Sequence, residues 1–154
     1  MSHQIRGYKV KKSRKAGSAS EPQRLYTGHM AEDKNIILTI RHGFDYSEIR
    51  TVQQEYQMPD KSFAHLIGIS DKTLLRIKKD HAKLSSMSGD RLYRLKKVWD
   101  LANKVLGTQE NALPWLRRSQ PGLGNQVPLE ILDTEPGYEQ VQTLLNRIEF
   151  GVLP

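Results

Sequence analysis

Apolar residues recur at helical spacing along most of the chain, and the first 24 residues are the exception. Ile36, Ile37, Leu38 and Ile40 form a cluster closed by Gly43. Its β-branched content also suits a short strand, but a helix with Gly43 just past its end agrees better with its neighbours. Asp45 with Glu48 three residues on has the form of a capping box, and Phe44 and Ile49 occupy the two positions of a hydrophobic staple. Tyr46, Ile49, Val52 and Tyr56 then share one helical face. Pro59 and Asp60 end that element and begin another, which runs to Ile67. Gly68 makes a tight turn, and Ser70 caps a further helix over about Asp71 to Ala82.

The second half continues in the same period. A Ser-rich break from Leu84 to Gly89 precedes a longer helix, expected over Asp90 to Leu106, with Leu92, Leu95, Val98, Trp99, Ala102 and Val105 as its stripe. Another helix should include Ala112 to Arg118. A Gly/Pro loop, Gln120 to Val127, leads to a short helical turn opening at Pro128, a favoured first position. Thr134 caps the last helix, whose stripe is Tyr138, Val141, Leu144, Leu145 and Ile148, and Gly151 closes it. The prediction is an all-α fold with no internal repeat.

Composition narrows the chemistry. With no cysteine, disulfides, thiolate metal sites and cysteine nucleophiles are excluded, and the chain suits a reducing cytoplasm. No apolar run approaches the roughly 20 residues that span a bilayer, so no membrane association is expected. The N-terminus has no apolar signal segment. The net charge of +7 is uneven: residues 1–24 carry +6, residues 25–59 carry −2, residues 60–104 carry +6, and residues 105–154 carry −3. Residues 1–24, rich in charge, Ser and Gly, cannot bury enough surface to offset their ordering entropy and read as a disordered basic arm. The basic middle points to a polyanion, with DNA first, although a basic face is often only a solvated surface.

Residues 60–79, DKSFAHLIGISDKTLLRIKK, carry the strongest local signal. A helix-turn-helix needs a small residue where its helices cross, a residue tolerating positive φ at the turn, and apolar residues locking the second helix to the first. Ala64, then Gly68, then Ile67, Ile69, Leu74 and Ile77 meet those needs; a plain αα-hairpin inside a core would favour the same residues. If the second helix enters a major groove, Lys72, Thr73 and Arg76 are the base-reading candidates. Ser62, Lys78, Lys79 and Lys83 are then placed for phosphates.

The last segment, ALPWLRRSQPGLGNQVPLEILDTEPGYEQVQTLLNRIEFGVLP, is the most distinctive. Its WL before a Pro-Gly-Leu-Gly loop, its PLEILDTEPG and its closing V-x-x-LL-x-RIE-x-G-V resemble the toxin-binding domain of Xre/ParS/MbcA antitoxins, partners of RES-domain toxins. Asn125 stands where that family usually has glycine, and asparagine also tolerates positive φ. The resemblance extends more loosely upstream and covers about Ile36 to Pro154.

It implies a cytoplasmic antitoxin that forms a homodimer, represses its own operon by binding double-stranded operator DNA, and inhibits a cognate RES-domain toxin that consumes NAD or uses it for ADP-ribosylation. The residues it assigns to the toxin contact are Arg147, Glu149, Gly151, Val152, Leu153 and Pro154. The organisation expected is a disordered arm at 1–27, an Xre-like helix-turn-helix domain at 28–87, and a small helical toxin-binding and dimerisation domain at 88–154. The acidic last third would complement a basic phosphate-binding cleft. Two other readings remain: a stand-alone repressor whose C-terminal module only dimerises, and an inhibitor whose helix-turn-helix is an oligomer scaffold.

An enzyme is not expected. His3, His29, His42, His65 and His81 lack metal-ligand spacing; His65 reads as packed or half exposed. No nucleophile–base pair assembles, and no cofactor is implied.

Overall fold

A computed structural model of the chain describes residues 35–152. The basic arm read over 1–27 lies outside the described residues, as do Leu153 and Pro154. The described residues from Ile36 onward belong to one compact unit. The first described helix, α1, covers 35–42. It is followed by α2 (Tyr46–Glu55), α3 (Asp60–Ile67), α4 (Asp71–Asp80), α5 (Ser86–Leu106), α6 (Gln109–Arg117), α7 (Pro128–Ile131) and α8 (Glu135–Glu149). A 3₁₀ turn at Pro121–Leu123 and one isolated antiparallel bridge, Gln120 to Gln126, complete the regular structure described. Among the described residues, no helix is long and apolar enough to cross a membrane.

The long α5 organises the unit. It packs on α2 and α3 and also on α6 and α8, and the boundary drawn from the sequence at 87/88 falls within its first turn. Leu92, Leu95, Val98, Trp99 and Ala102 are buried along it, joined by Ile49 and Val52 of α2, Phe63 and Ile67 of α3, and Val141, Leu144 and Leu145 of α8. Tyr56 is fully buried; it donates its hydroxyl to Leu95 O at 2.8 Å and packs tilted against Trp99 at 5.2 Å between centroids. Burial away from water pushes its phenol well above the usual tyrosine range, so it remains a donor.

Long-range polar contacts tie the same elements. Arg117 Nη2 of α6 donates to Tyr56 O at 2.8 Å and Gln57 O at 2.9 Å, closing the turn after α2. Arg94 of α5 pairs with Asp90 and, at 2.5 Å, with Glu135 at the start of α8.

Local start signals hold where the sequence placed them. Glu48 Oε2 accepts from Asp45 N–H at 3.2 Å, and Phe44 and Ile49 are both buried. One helix start differs from expectation. The Ser-rich stretch does not end before α5 but opens it, because Ser85 is the cap (its Oγ accepts from Ser88 N) and Ser88 and Gly89 are buried within the helix. Serine and glycine are poor helix formers, but Gly89 lets the helix approach the Phe44 ring: a Cβ there would stand 3.3 Å from Phe44 Cδ2. Packing therefore overrides propensity. The helix expected to include Ala112 to Arg118 is α6, which opens at Gln109 under a Thr108 cap and ends at Arg117, because Arg118 is extended at φ −107°. At the other end, α4 stops at Asp80, with His81 in the left-handed region at φ 51°.

Candidate nucleic-acid interface and partner-binding tail

The crossing of α3 and α4 has the helix-turn-helix form. Ala64 is fully buried at the crossing, and Gly68 leaves the helix at φ 73°. Its N–H donates to His65 O at 3.0 Å and that of Ile69 to Ala64 O at 2.9 Å, the pair of bonds that closes a helix on a left-handed residue. Ser70 then caps α4 by accepting from Thr73 N at 3.1 Å, and Leu74 and Ile77 point into the core.

That geometry sorts the residues expected to meet DNA. Lys72, Arg76 and Lys79 are exposed and line one shallow groove with Thr73, Leu75 and Asp80. Thr73 is half buried, and its hydroxyl lies 2.9 Å from that of Ser70. Lys78 is turned back onto α3 and pairs with Asp60, which also accepts from Gln53 Nε2 at 2.7 Å. Those two donors hold the Asp60 carboxyl below the usual aspartate range. Lys83 pairs with Asp45 at 3.6 Å. Ser62 is exposed on α3, beside Lys61 and His65 on a different groove. His65 is not packed: its side chain is 80% exposed, 3.8 Å from Asp133.

The Asp60 contact carries a pH dependence. A carboxyl whose folded pKa is depressed contributes stability that is present above its ordinary value, near 3.8, and lost as pH falls through the lower folded one. Asp60→Asn should therefore flatten the acid limb of urea-midpoint against pH while changing the neutral midpoint little, since the Asp60 carboxyl is half exposed. An acid limb identical to wild type would refute that contribution.

At the far end of the unit, α8 closes on Gly151, at φ 68°. Gly151 N donates to Ile148 O at 3.1 Å and Val152 N to Arg147 O at 2.8 Å. The apolar contact that commonly accompanies this closure is missing, because its helical partner is Arg147, and Val152 stays 58% exposed. Arg147 is exposed and borders a groove with Leu123, Pro136, Gln140 and Thr143. Glu149 is engaged inside the unit, pairing with Lys104 of α5 at 2.5 Å.

Phe150, 76% exposed, is a residue the sequence reading missed. It caps the C-terminus of α8, three positions after Arg147 and outside the stripe that the period picks out. Leu75 was missed for the same reason: it adjoins the buried Leu74 in sequence and yet is 65% exposed. Among the described residues, no group of three or more His, Cys, Asp or Glu could hold a metal ion.

Two family models match this unit: the antitoxin Xre-like helix-turn-helix domain over residues 36–95, and the antitoxin Xre/MbcA/ParS C-terminal toxin-binding domain over residues 101–151. The chain belongs to the Xre/MbcA/ParS antitoxin family. An Antitoxin Xre of Yersinia enterocolitica is 26% identical over 118 residues, 76% of this chain and 80% of that protein. An Antitoxin Xre of Photorhabdus laumondii is 32% identical over 89 residues, 57% of this chain and 60% of that protein. A chain in the crystal structure of the M. tuberculosis MbcT–MbcA toxin–antitoxin complex superposes with a TM-score of 0.55 over 70% of this chain and 96% of that one. At 18% identity, that likeness speaks for the fold alone.

In this antitoxin the two family matches meet on α5, which begins in one and ends in the other. Asn125, the departure from the family's glycine, takes φ 65°, so the loop keeps its left-handed turn without that glycine.

Proposed function

We propose that this antitoxin neutralises a cognate RES-domain toxin, an enzyme that consumes NAD or uses it to ADP-ribosylate a target, by covering its active site with the end of α8 and the tail beyond Gly151. It works by binding and not by catalysis, in the cytoplasm. The observation that carries the reading is the closure of α8, which leaves Phe150 exposed at the end of the toxin-binding domain and Val152 exposed just beyond it. Arg147, Gly151 and Val152 form the contact together with Leu153 and Pro154, and Glu149 supports it by anchoring the helix end to Lys104. Co-expression with the toxin encoded beside it is the test. The full chain should restore growth, and a chain ending at Gly151 should not. Equal rescue by both would remove the tail from the mechanism.

The same protein binds its operator as a homodimer and represses its operon through α4. Lys72, Thr73 and Arg76 face base edges, while Lys79, Ser62 and Lys83 contact phosphates. Lys83 must first exchange Asp45 for a phosphate, and Lys78 must likewise leave Asp60. Arg76→Ala should relax specificity at one base pair, at a cost of about 1–3 kcal/mol. Lys79→Ala should weaken binding to all sequences alike and lower the salt slope by about one. Titration of the upstream DNA at several salt concentrations separates the two effects; no change with either variant would sink the assignment. A scaffold-only helix-turn-helix predicts no binding at all.

A further inference from the structure

The outward face of α4 carries one feature that the charge reading leaves out. Leu75 is 65% exposed, and it lies on the ridge of Lys72 and Lys79, three residues after one and four before the other. Arg76 is its neighbour, and all four side chains border the same groove. A single exposed leucine ordinarily means nothing. Here it shares the groove with three exposed cations and one carboxylate, Asp80, and among the described residues no acid forms an ion pair with any of the three cations. An apolar group so placed can be desolvated only by something that also satisfies the surrounding positive charge.

The major groove offers that combination. Phosphates flank it, and the C5 methyl of thymine is the apolar group on its base edges. An acidic protein surface with an apolar centre is the competing occupant. The groove is favoured because Leu75 sits in the helix that follows the Gly68 turn, beside the side chain best suited to guanine.

We infer that Leu75 is a specificity residue of the operator contact, seating the methyl group of a thymine adjacent to the base read by Arg76. The inference rests on the DNA-binding reading above and adds to it a base identity that none of the charged residues supplies.

The test removes only the methyl. Duplexes of the DNA immediately upstream of this protein's reading frame are prepared with thymines replaced one at a time by uracil, and each is titrated with wild type and with Leu75→Ala. The substitution lies on the surface, so folding is not at stake. One thymine position should show a loss of about threefold to fivefold with wild type, the worth of one desolvated methyl. Leu75→Ala should bind thymine and uracil there equally, and both more weakly than wild type binds thymine. Wild type indifferent to uracil at every position, or a loss that persists unchanged in the variant, would overturn the inference while leaving DNA binding intact. A variant with unchanged DNA titrations but a weakened toxin complex would also overturn it and assign Leu75 to a protein contact. No binding by wild type to any duplex would overturn both this inference and the DNA-binding reading.

Discussion

Replacing Gly137 with alanine should destabilise the antitoxin by about 2–4 kcal/mol, although alanine is ordinarily the better helix former by roughly 1 kcal/mol. Gly137 lies in the first turn of α8, under the carbonyl end of α7. A Cβ there would overlap Ile131 O and stand 2.7 Å from Ile131 C and 2.9 Å from Thr134 Oγ1. The Ile131 contacts are to main chain, so no rotamer change relieves them. Ile131 O already accepts from Thr134 N at 3.3 Å and from Thr134 Oγ1 at 3.1 Å, and that hydroxyl accepts from Gly137 N at 3.1 Å. Opening the junction enough for a methyl group strains all three bonds and weakens the cap of α8. Thermal unfolding is the measurement. At about 2–4 °C per kcal/mol for a chain of this size, the midpoint should fall by roughly 5–15 °C, and a midpoint within a degree of wild type would refute the clash.

The second large effect is expected at Trp99. It is almost wholly buried in the middle of α5, against Tyr56. Trp99→Ala should cost about 3–5 kcal/mol, a large part of the roughly 5–15 kcal/mol that holds a folded chain together. Because α5 packs on α2 and α3 as well as on α6 and α8, the loss should not stay in one half. Unfolding should remain a single transition, shifted to lower denaturant, and operator binding should fall together with toxin binding. Two resolved transitions, with one half still folded after the other has melted, would show that the two halves do not share a core.

That shared helix marks the divide between what the chain reveals locally and what it does not. Capping boxes, turn glycines and apolar stripes are short-range devices, so Asp45, Gly68, Ser70, Thr134 and Gly151 can be placed from the residues around them. The start of α5 was misplaced because its evidence is long-range. Ser88 and Gly89 read as a break until Phe44 is known to lie against Gly89. The glycine of the EPG phrase is similar: the sequence shows that it is there, and only the overlap with Ile131 O shows what it is for.

The same divide runs through the site. By itself the sequence determined the all-helical fold, the helix-turn-helix and the antitoxin family, because periodicity and motif spacing are properties of neighbouring residues. The tertiary structure alone decided which charges remain available. Lys78 is turned onto Asp60 of the preceding helix and Glu149 onto Lys104, three helices back. It also decided that Leu75 and Phe150 face solvent. Whether a side chain is spent inside the fold or left for a partner depends on what packs beside it, and helical periodicity supplies only half of that geometry.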